Sequence, residues 1–216
     1  MNERLETVNE MRAVTLSREY ASGGGEIAVH LAQRLGWRVI DHAIVERAAR
    51  ALGTSQEEVE AHDEHAEGVL TRLLNDLQYI DPTAMASAPP LGAALSDEAY
   101  RDAVKRIVRA AAARGQVVIV GRGSQVLLAG RRDVLRVRII APLEQRIAAV
   151  MQREGVDRQE AASRLRTKDR ERTRYLETGY HRKPGDSHLY DLVLNLSRID
   201  PASAVNIICL TLRHEQ

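Results

Sequence analysis

The apolar positions of the chain fall into short blocks of two alternating periods. Residues 13–17 (AVTLS), 37–41 (WRVID), 116–120 (QVVIV), 135–141 (LRVRIIA) and 190–196 (YDLVLNL) are compact runs rich in Val, Ile and Leu, as strands buried in a parallel sheet are. Between them the period lengthens to that of a helix. Ile27, Leu31 and Leu35 recur at i, i+4 and i+8 with Ala28 and Ala32 beside them, and Asp41 opens a helix carrying Ile44, Val45, Ala48 and Leu52 on one side. Residues 97–114 put Tyr100, Val104, Ile107, Val108 and Ala111 on one face, and Leu143, Ile147 and Val150 mark a further helix after Pro142. Asp157 stands at capping-box spacing from Glu160, and Asp200 with Pro201 forms an N-cap and first-turn pair before Val205, Ile208, Cys209 and Leu212. This alternation predicts an α/β fold of three layers over residues 13–216, with about five parallel strands and right-handed crossovers, after a polar lead-in over 1–12.

Two segments interrupt the alternation. Residues 54–81 carry eight Asp or Glu against one Arg, and Val59, Ala66, Leu70, Leu73, Leu77 and Ile80 follow nearly heptad spacing. A helix with that stripe needs a partner, either the domain itself or a second copy in a homodimer through residues 57–80. His62 and His65 share a helix face poorly, so a solvated acidic face is preferred there over a metal site. A Pro/Ala linker follows, and 54–96 is read as a helical insertion with its connection. The second segment is basic: residues 164–183 hold eight Lys or Arg against three acids. Arg166, Arg170 and Arg174 form one i, i+4 stripe and Arg164, Lys168 and Arg172 another, inside a region, 157–188, that fits a cationic lid.

Composition narrows the class. The 216 residues carry a formal net charge of +1, which argues against a nucleic-acid binder acting through global charge. Phe is absent and there is one Trp, so stacking surfaces for single strands are scarce. The single cysteine, Cys209, cannot close an internal disulfide, and no apolar run reaches membrane length; the expected setting is the cytoplasm.

Candidate chemistry centres on residues 13–36, where an apolar run, a glycine-rich turn and an amphipathic helix follow in the order of phosphate-binding loops. Ser22, Gly23, Gly24 and Gly25 leave the backbone nearly free of steric limits, so its N–H groups can face an anion. The formal lysine-bearing pattern is not met: Glu19 stands at the first glycine, Gly25 at the lysine and Glu26 at the hydroxyl position. A second candidate is Arg122, set between Gly121 and Gly123 just beyond the run 116–120, where ligands of open parallel sheets sit.

The run SREYASGGGEIAVHLAQRLGWRVIDHAIVERAA resembles the opening of the cytidylate kinase-like family, P-loop proteins whose usual run is close to S-R-E-Y-G-S-G-G-R-E-I-A. VVIVGRGSQVLL is similar to the strand and G-R-D loop that meets the nucleoside monophosphate, with Gly123 in place of the acid, and KDRERTRY with GDSHLYDLVLNLSRI is similar to the lid and last strand. The resemblance implies a P-loop NTPase-type fold with a monophosphate-binding helical insertion and a basic lid. It implies transfer of a phosphate from ATP, with Mg2+, to a nucleoside monophosphate, CMP or dCMP, with nucleotides as the expected small-molecule partners and neither nucleic acid nor membrane. Under it, Arg18 to Glu26 hold the donor phosphates, Asp41, His42, Arg122 and Asp186 hold the acceptor, and Arg166, Lys168, Arg170, Arg172 and Arg174 supply lid cations. Arg18 is placed as the substitute for the missing lysine, and Asp169 as the group that orients Arg172. No set of magnesium ligands is legible. Another small acceptor, or a nucleotide-binding module without turnover, remain as alternatives.

Overall fold

A computed structural model describes residues 11–51 and 96–214. The acidic segment 54–96, with the 57–80 stripe, His62 and His65, lies outside the described residues but for Ser96, as does nearly all of the lead-in. Five strands, β1 (Ala13–Arg18), β2 (Arg38–Ile40), β3 (Val117–Val120), β4 (Val134–Ile140) and β5 (Leu192–Asn195), form one parallel sheet in the order β2-β3-β1-β4-β5. The predicted α/β fold with five parallel strands is therefore present, and β1 lies at the centre of the sheet.

Side-chain alternation divides the core between the two faces. Val14, Leu16, Val118, Val120, Leu135, Val137 and Ile139 point to one side, where α1 (Gly24–Leu35) and α7 (Pro201–His214) cover them with Ile27, Leu31, Val205 and Ile208. Ala13, Ile40, Val117, Ile119 and Val134 point to the other, under α2 (His42–Ala51), α3 (Asp97–Arg114) and the short α4 (Ser124–Leu127). With no Phe, the largest wholly buried side chains among the described residues are Leu and Ile.

Two further helices cross the carboxyl end of the sheet: α5 (Leu143–Glu154) and α6 (Arg158–Tyr180), an unbroken span of 23 residues. Asp157 caps α6 by accepting from the Glu160 N–H at 2.8 Å, as its spacing predicts. The helix marked by Leu143, Ile147 and Val150 is present as α5; Leu143 at its start is 50% exposed, and Arg146 is buried beside Ile147 and Val150. The expected strand 116–120 starts one residue later, because Gln116 takes a left-handed φ of 51°. The last strand is shorter than 190–196: Tyr190 closes the 3-10 turn (Ser187–Leu189) that precedes it.

Candidate active site

The ends of β1, β3 and α6 enclose a cavity of about 580 Å³. Arg18, Glu19 and Tyr20 enter it from the β1–α1 loop, Gly121, Arg122, Gly123 and Gln125 from the end of β3, and Lys168, Asp169, Glu171, Arg172 and Tyr175 from α6. His42, Ser17, Arg138 and Pro184 complete the wall from α2, β1, β4 and the segment after α6. This is the carboxyl edge of a parallel sheet, where the strand topology leaves room for a ligand.

The glycine loop stands next to this cavity, and Ser22, Gly23, Gly24, Gly25 and Glu26 do not line it. Ser22 is buried and donates its Oγ–H to the Glu19 carbonyl at 3.0 Å, so its hydroxyl shapes the loop. Gly23 takes φ 81° as the N-cap of α1, which receives no side-chain cap. Uncapped N–H groups in the first turn and the positive end of the helix dipole make this end of α1 suited to an anion. Gly24 serves packing instead. A Cβ there would stand 2.8 Å from Arg18 Cβ and 3.3 Å from Leu16 Cδ2, so the missing side chain lets α1 pack on β1. A Cβ at Gly25 would meet nothing within 4 Å.

Side chains from α5 and α6 hold the first half of the loop. The Tyr20 N–H donates to Asp169 Oδ1 at 2.8 Å, and Arg146 Nη1 donates to Asp169 Oδ2 at 2.5 Å. Arg146 Nε donates to the Ala141 carbonyl at 3.1 Å and lies 3.5 Å from Glu19 Oε2, which itself accepts from the Ala141 N–H. Asp169 thus hydrogen-bonds the loop and α5, and it acts on Arg172 through charge and not through a hydrogen bond. Arg172 instead donates to the Arg18 carbonyl at 3.4 Å and lies over the Tyr20 ring, whose centroid is 5.2 Å away. Arg153 lies over the same ring at 5.1 Å, and the Tyr20 hydroxyl donates to Glu154 at 2.9 Å. Arg153, Arg164 and that hydroxyl together pull the Glu154 carboxyl down to about 2.

Charge converges on the cavity. Burial, with the Arg172 charge adding to it and Asp41 opposing, pushes the Arg18 guanidinium down to about 10. Burial also lowers the pKa of Arg172. A Cβ on Gly121 would stand 3.1 Å from Arg18 Nη1, so the head of Arg18 lies against the end of β3. Arg122, at φ 55°, is 5.5 Å from the ring centroid of Tyr175 and 6.0 Å from that of Tyr100, and its carbonyl accepts from the Tyr180 hydroxyl at 3.2 Å. A side chain on Gly123, at φ 67°, would strike the Tyr180 ring, which explains glycine at that position.

Other predicted residues separate by location. Lys168 and Arg172 face the cavity, whereas Arg166, Arg170 and Arg174 are exposed on the far side of α6, so the two basic stripes face different surroundings. Lys168 pairs with Glu171 at 3.0 Å. Asp41 accepts from the N–H groups of Ala43 and Ile44 as the cap of α2, and Asp186 accepts from the His188 N–H in the 3-10 turn; neither lines the cavity. His42 is exposed at its rim. Sequence reading missed Arg146, Arg138 and Gln125, and it gave Tyr20 no role beyond its place in the Arg18 to Glu26 loop. The signal for Arg138 was present, since Arg136 and Arg138 alternate through an otherwise apolar strand; for Arg146 there was none, because its carboxylate partners are remote in sequence.

The profile of the cytidylate kinase-like family matches residues 13–198. The chain belongs to that family. A cytidylate kinase from Methanopyrus kandleri is 35% identical over 103 residues, covering 44% of this chain and 53% of that protein. The chain thus spans about half the length of that relative. A protein named uronate isomerase from Corynebacterium glutamicum is 30% identical over 94 residues but is matched over only 18% of its length. Among solved structures, an uncharacterized protein from Eubacterium ventriosum has a TM-score of 0.68 at 19% identity, covering 93% of this chain and 98% of that one. A shikimate kinase from Acinetobacter baumannii, solved with shikimate, has a TM-score of 0.50 at 11% identity, covering 98% of each chain. The fold is that of P-loop kinases.

Against the usual run of this cytidylate kinase-like family, the chain differs at two loop positions whose geometry is now visible. Ala21 replaces glycine at a left-handed φ of 58°, and Gly25 replaces arginine where a side chain has open space. Membership implies nucleotide and magnesium use in general terms. Among the described residues no three His, Cys, Asp or Glu side chains gather as metal ligands, and Glu19, Asp169 and Glu171 each engage a protein partner. The described residues do not fit magnesium with a cage of their own carboxylates.

Proposed function

We propose that the protein moves the terminal phosphate of ATP to a nucleoside monophosphate, CMP or dCMP. The observation that carries this reading is the convergence of Arg18, Arg122, Lys168 and Arg172 on one cavity between the phosphate loop and α6. The name of the Methanopyrus relative supports the choice of acceptor. In this reading the loop and the N-terminus of α1 hold the donor phosphates through backbone N–H groups, and Arg122 with His42 bounds the acceptor side. An acceptor phosphate is already an anion at neutral pH, so the chain need supply no general base. Its residues align two anions and offset charge on the moving group, chiefly through Arg172 and Arg18.

Gly25 and Glu26 at the lysine and hydroxyl positions favour a second reading, a nucleotide-binding module without turnover. One experiment separates the two. ADP release is followed with ATP, magnesium and a panel of nucleoside monophosphates, for the parent and for Arg172→Ala. The kinase reading expects turnover with CMP or dCMP, and a rate at least about 10²-fold lower in Arg172→Ala with ATP affinity kept. ATP binding without ADP release from any acceptor refutes the kinase reading and supports the module.

A further inference from the structure

Two arginines stand two residues apart on one face of β4, and their surroundings differ. Arg136 is neutralised: its Nε and Nη2 donate to the two carboxylate oxygens of Asp191 at 3.0 and 2.5 Å. Arg138 faces the cavity and pairs with no carboxylate among the described residues. Both of its hydrogen bonds leave Nη1, to Ser17 Oγ and to the Tyr190 hydroxyl, each at 3.3 Å. The guanidinium also lies 5.4 Å from the Tyr190 ring centroid.

These contacts hold the side chain in place and leave its charge intact. Tyr190 donates its one hydroxyl proton to the Pro184 carbonyl at 3.0 Å, so its oxygen is free to accept from Arg138 and from Ser17. Ser17 lies opposite Arg138 in the β1–β4 register and is buried. Two neutral hydroxyls and a ring thus fix a guanidinium whose Nε and Nη2 donate to nothing among the described residues. A fixed fork of charged donors in a concave site suits an oxyanion, which it binds with both charge and geometry.

We propose that Arg138 is a ligand-binding residue that takes a phosphate oxygen of the acceptor. That the acceptor is a nucleotide rests on the function proposed above; that the ligand group is a phosphate-type oxyanion rests on the surroundings of Arg138 alone. Arg138→Gln can keep the hydroxyl contacts without the charge, and Arg138→Lys keeps the charge without the fork. Affinities for CMP, cytidine and ATP are measured by calorimetry for the parent and both variants. Loss of one charge-assisted contact weakens CMP binding by about tenfold or more in Arg138→Gln and less in Arg138→Lys. Cytidine, which lacks the phosphate, binds parent and variants alike, and ATP affinity stays within about twofold. Equal CMP affinity in parent and Arg138→Gln overturns the proposal, as does a loss for cytidine as large as for CMP, or a loss for ATP alone. Failure of the parent to bind CMP sinks the nucleotide reading instead. Arg138 is then decided by inorganic phosphate: a thermal shift smaller in Arg138→Gln supports it, and an unchanged shift refutes it.

Discussion

Arg146→Ala tests whether the phosphate loop is held from outside by α5 and α6. The substitution removes a buried guanidinium that bonds Asp169 at 2.5 Å, lies 3.5 Å from Glu19, and donates to the carbonyls of Ala141 and Tyr20 at 3.1 and 3.4 Å. A charge-assisted hydrogen bond contributes about 1.5–3 kcal/mol, and the lower end applies because the Asp169 side chain is 30% exposed. The two carbonyls add about 1 kcal/mol each, the second bond being long, so the expected loss is about 3–4 kcal/mol, the range for removing one partner of a buried ion pair. Against a total stability of about 5–15 kcal/mol this is readily measured by urea unfolding at constant m-value. Asp169→Asn keeps an acceptor for the Tyr20 N–H, so the double-mutant cycle isolates the Arg146–Asp169 pair, with an expected coupling of about 1–2 kcal/mol. ATP affinity should fall in Arg146→Ala by more than in a surface variant of matched stability. A loss below about 1 kcal/mol, or a coupling of zero, refutes the account of the loop as anchored by Arg146.

Three further outcomes follow from local geometry. Ala21→Gly should stabilise the protein by up to about 1 kcal/mol, since a left-handed φ costs alanine about 1–2 kcal/mol and the greater unfolded-state freedom of glycine returns part of that; a lower urea midpoint contradicts it. Gly25→Lys enters open space in the first turn of α1, so it should gain about 0.5–1 kcal/mol in helix propensity and bind ATP more tightly, with calorimetry showing whether affinity rises. The Glu154 carboxyl, lowered to about 2, stabilises the fold fully above the ordinary carboxylate range near about 4.3 and loses that contribution as pH falls toward 2; unfolding followed between those values should lose its pH slope in part in Glu154→Gln, and identical slopes contradict it.

The elements that the chain displays through apolar spacing were legible, and those built on buried charge were not. The central strand, the glycine turn and α1 follow from residues 13–36 alone, and the caps Asp41, Asp157 and Asp200 stand where their hydrogen bonds form. The first turn of α5 buries Arg146 toward Asp169, 23 residues away in sequence, and leaves Leu143 exposed. Periodicity has no mark for a buried cation whose partners come from other elements. Arg166, Arg170 and Arg174 show the converse: equal spacing made them look equivalent to Lys168 and Arg172, and only the direction in which α6 lies on the loop separates cavity from solvent. Likewise the glycines looked alike in sequence, yet Gly23 turns the chain, Gly24 admits β1, and Gly25 leaves space unfilled.

The carboxylate of Asp169 on the Tyr20 N–H has a thermodynamic consequence for any anion that arrives. A phosphate loop without ligand usually carries unmet donors and the repulsion of N–H groups aimed at one point, and part of the ligand's binding energy goes to ordering it. Here the protein contributes its own anion at the start of the loop, and Tyr20 is clamped between two guanidinium groups. The first half of the loop is thus wound before any ligand arrives, so an anion docking beside it would meet less ordering entropy there.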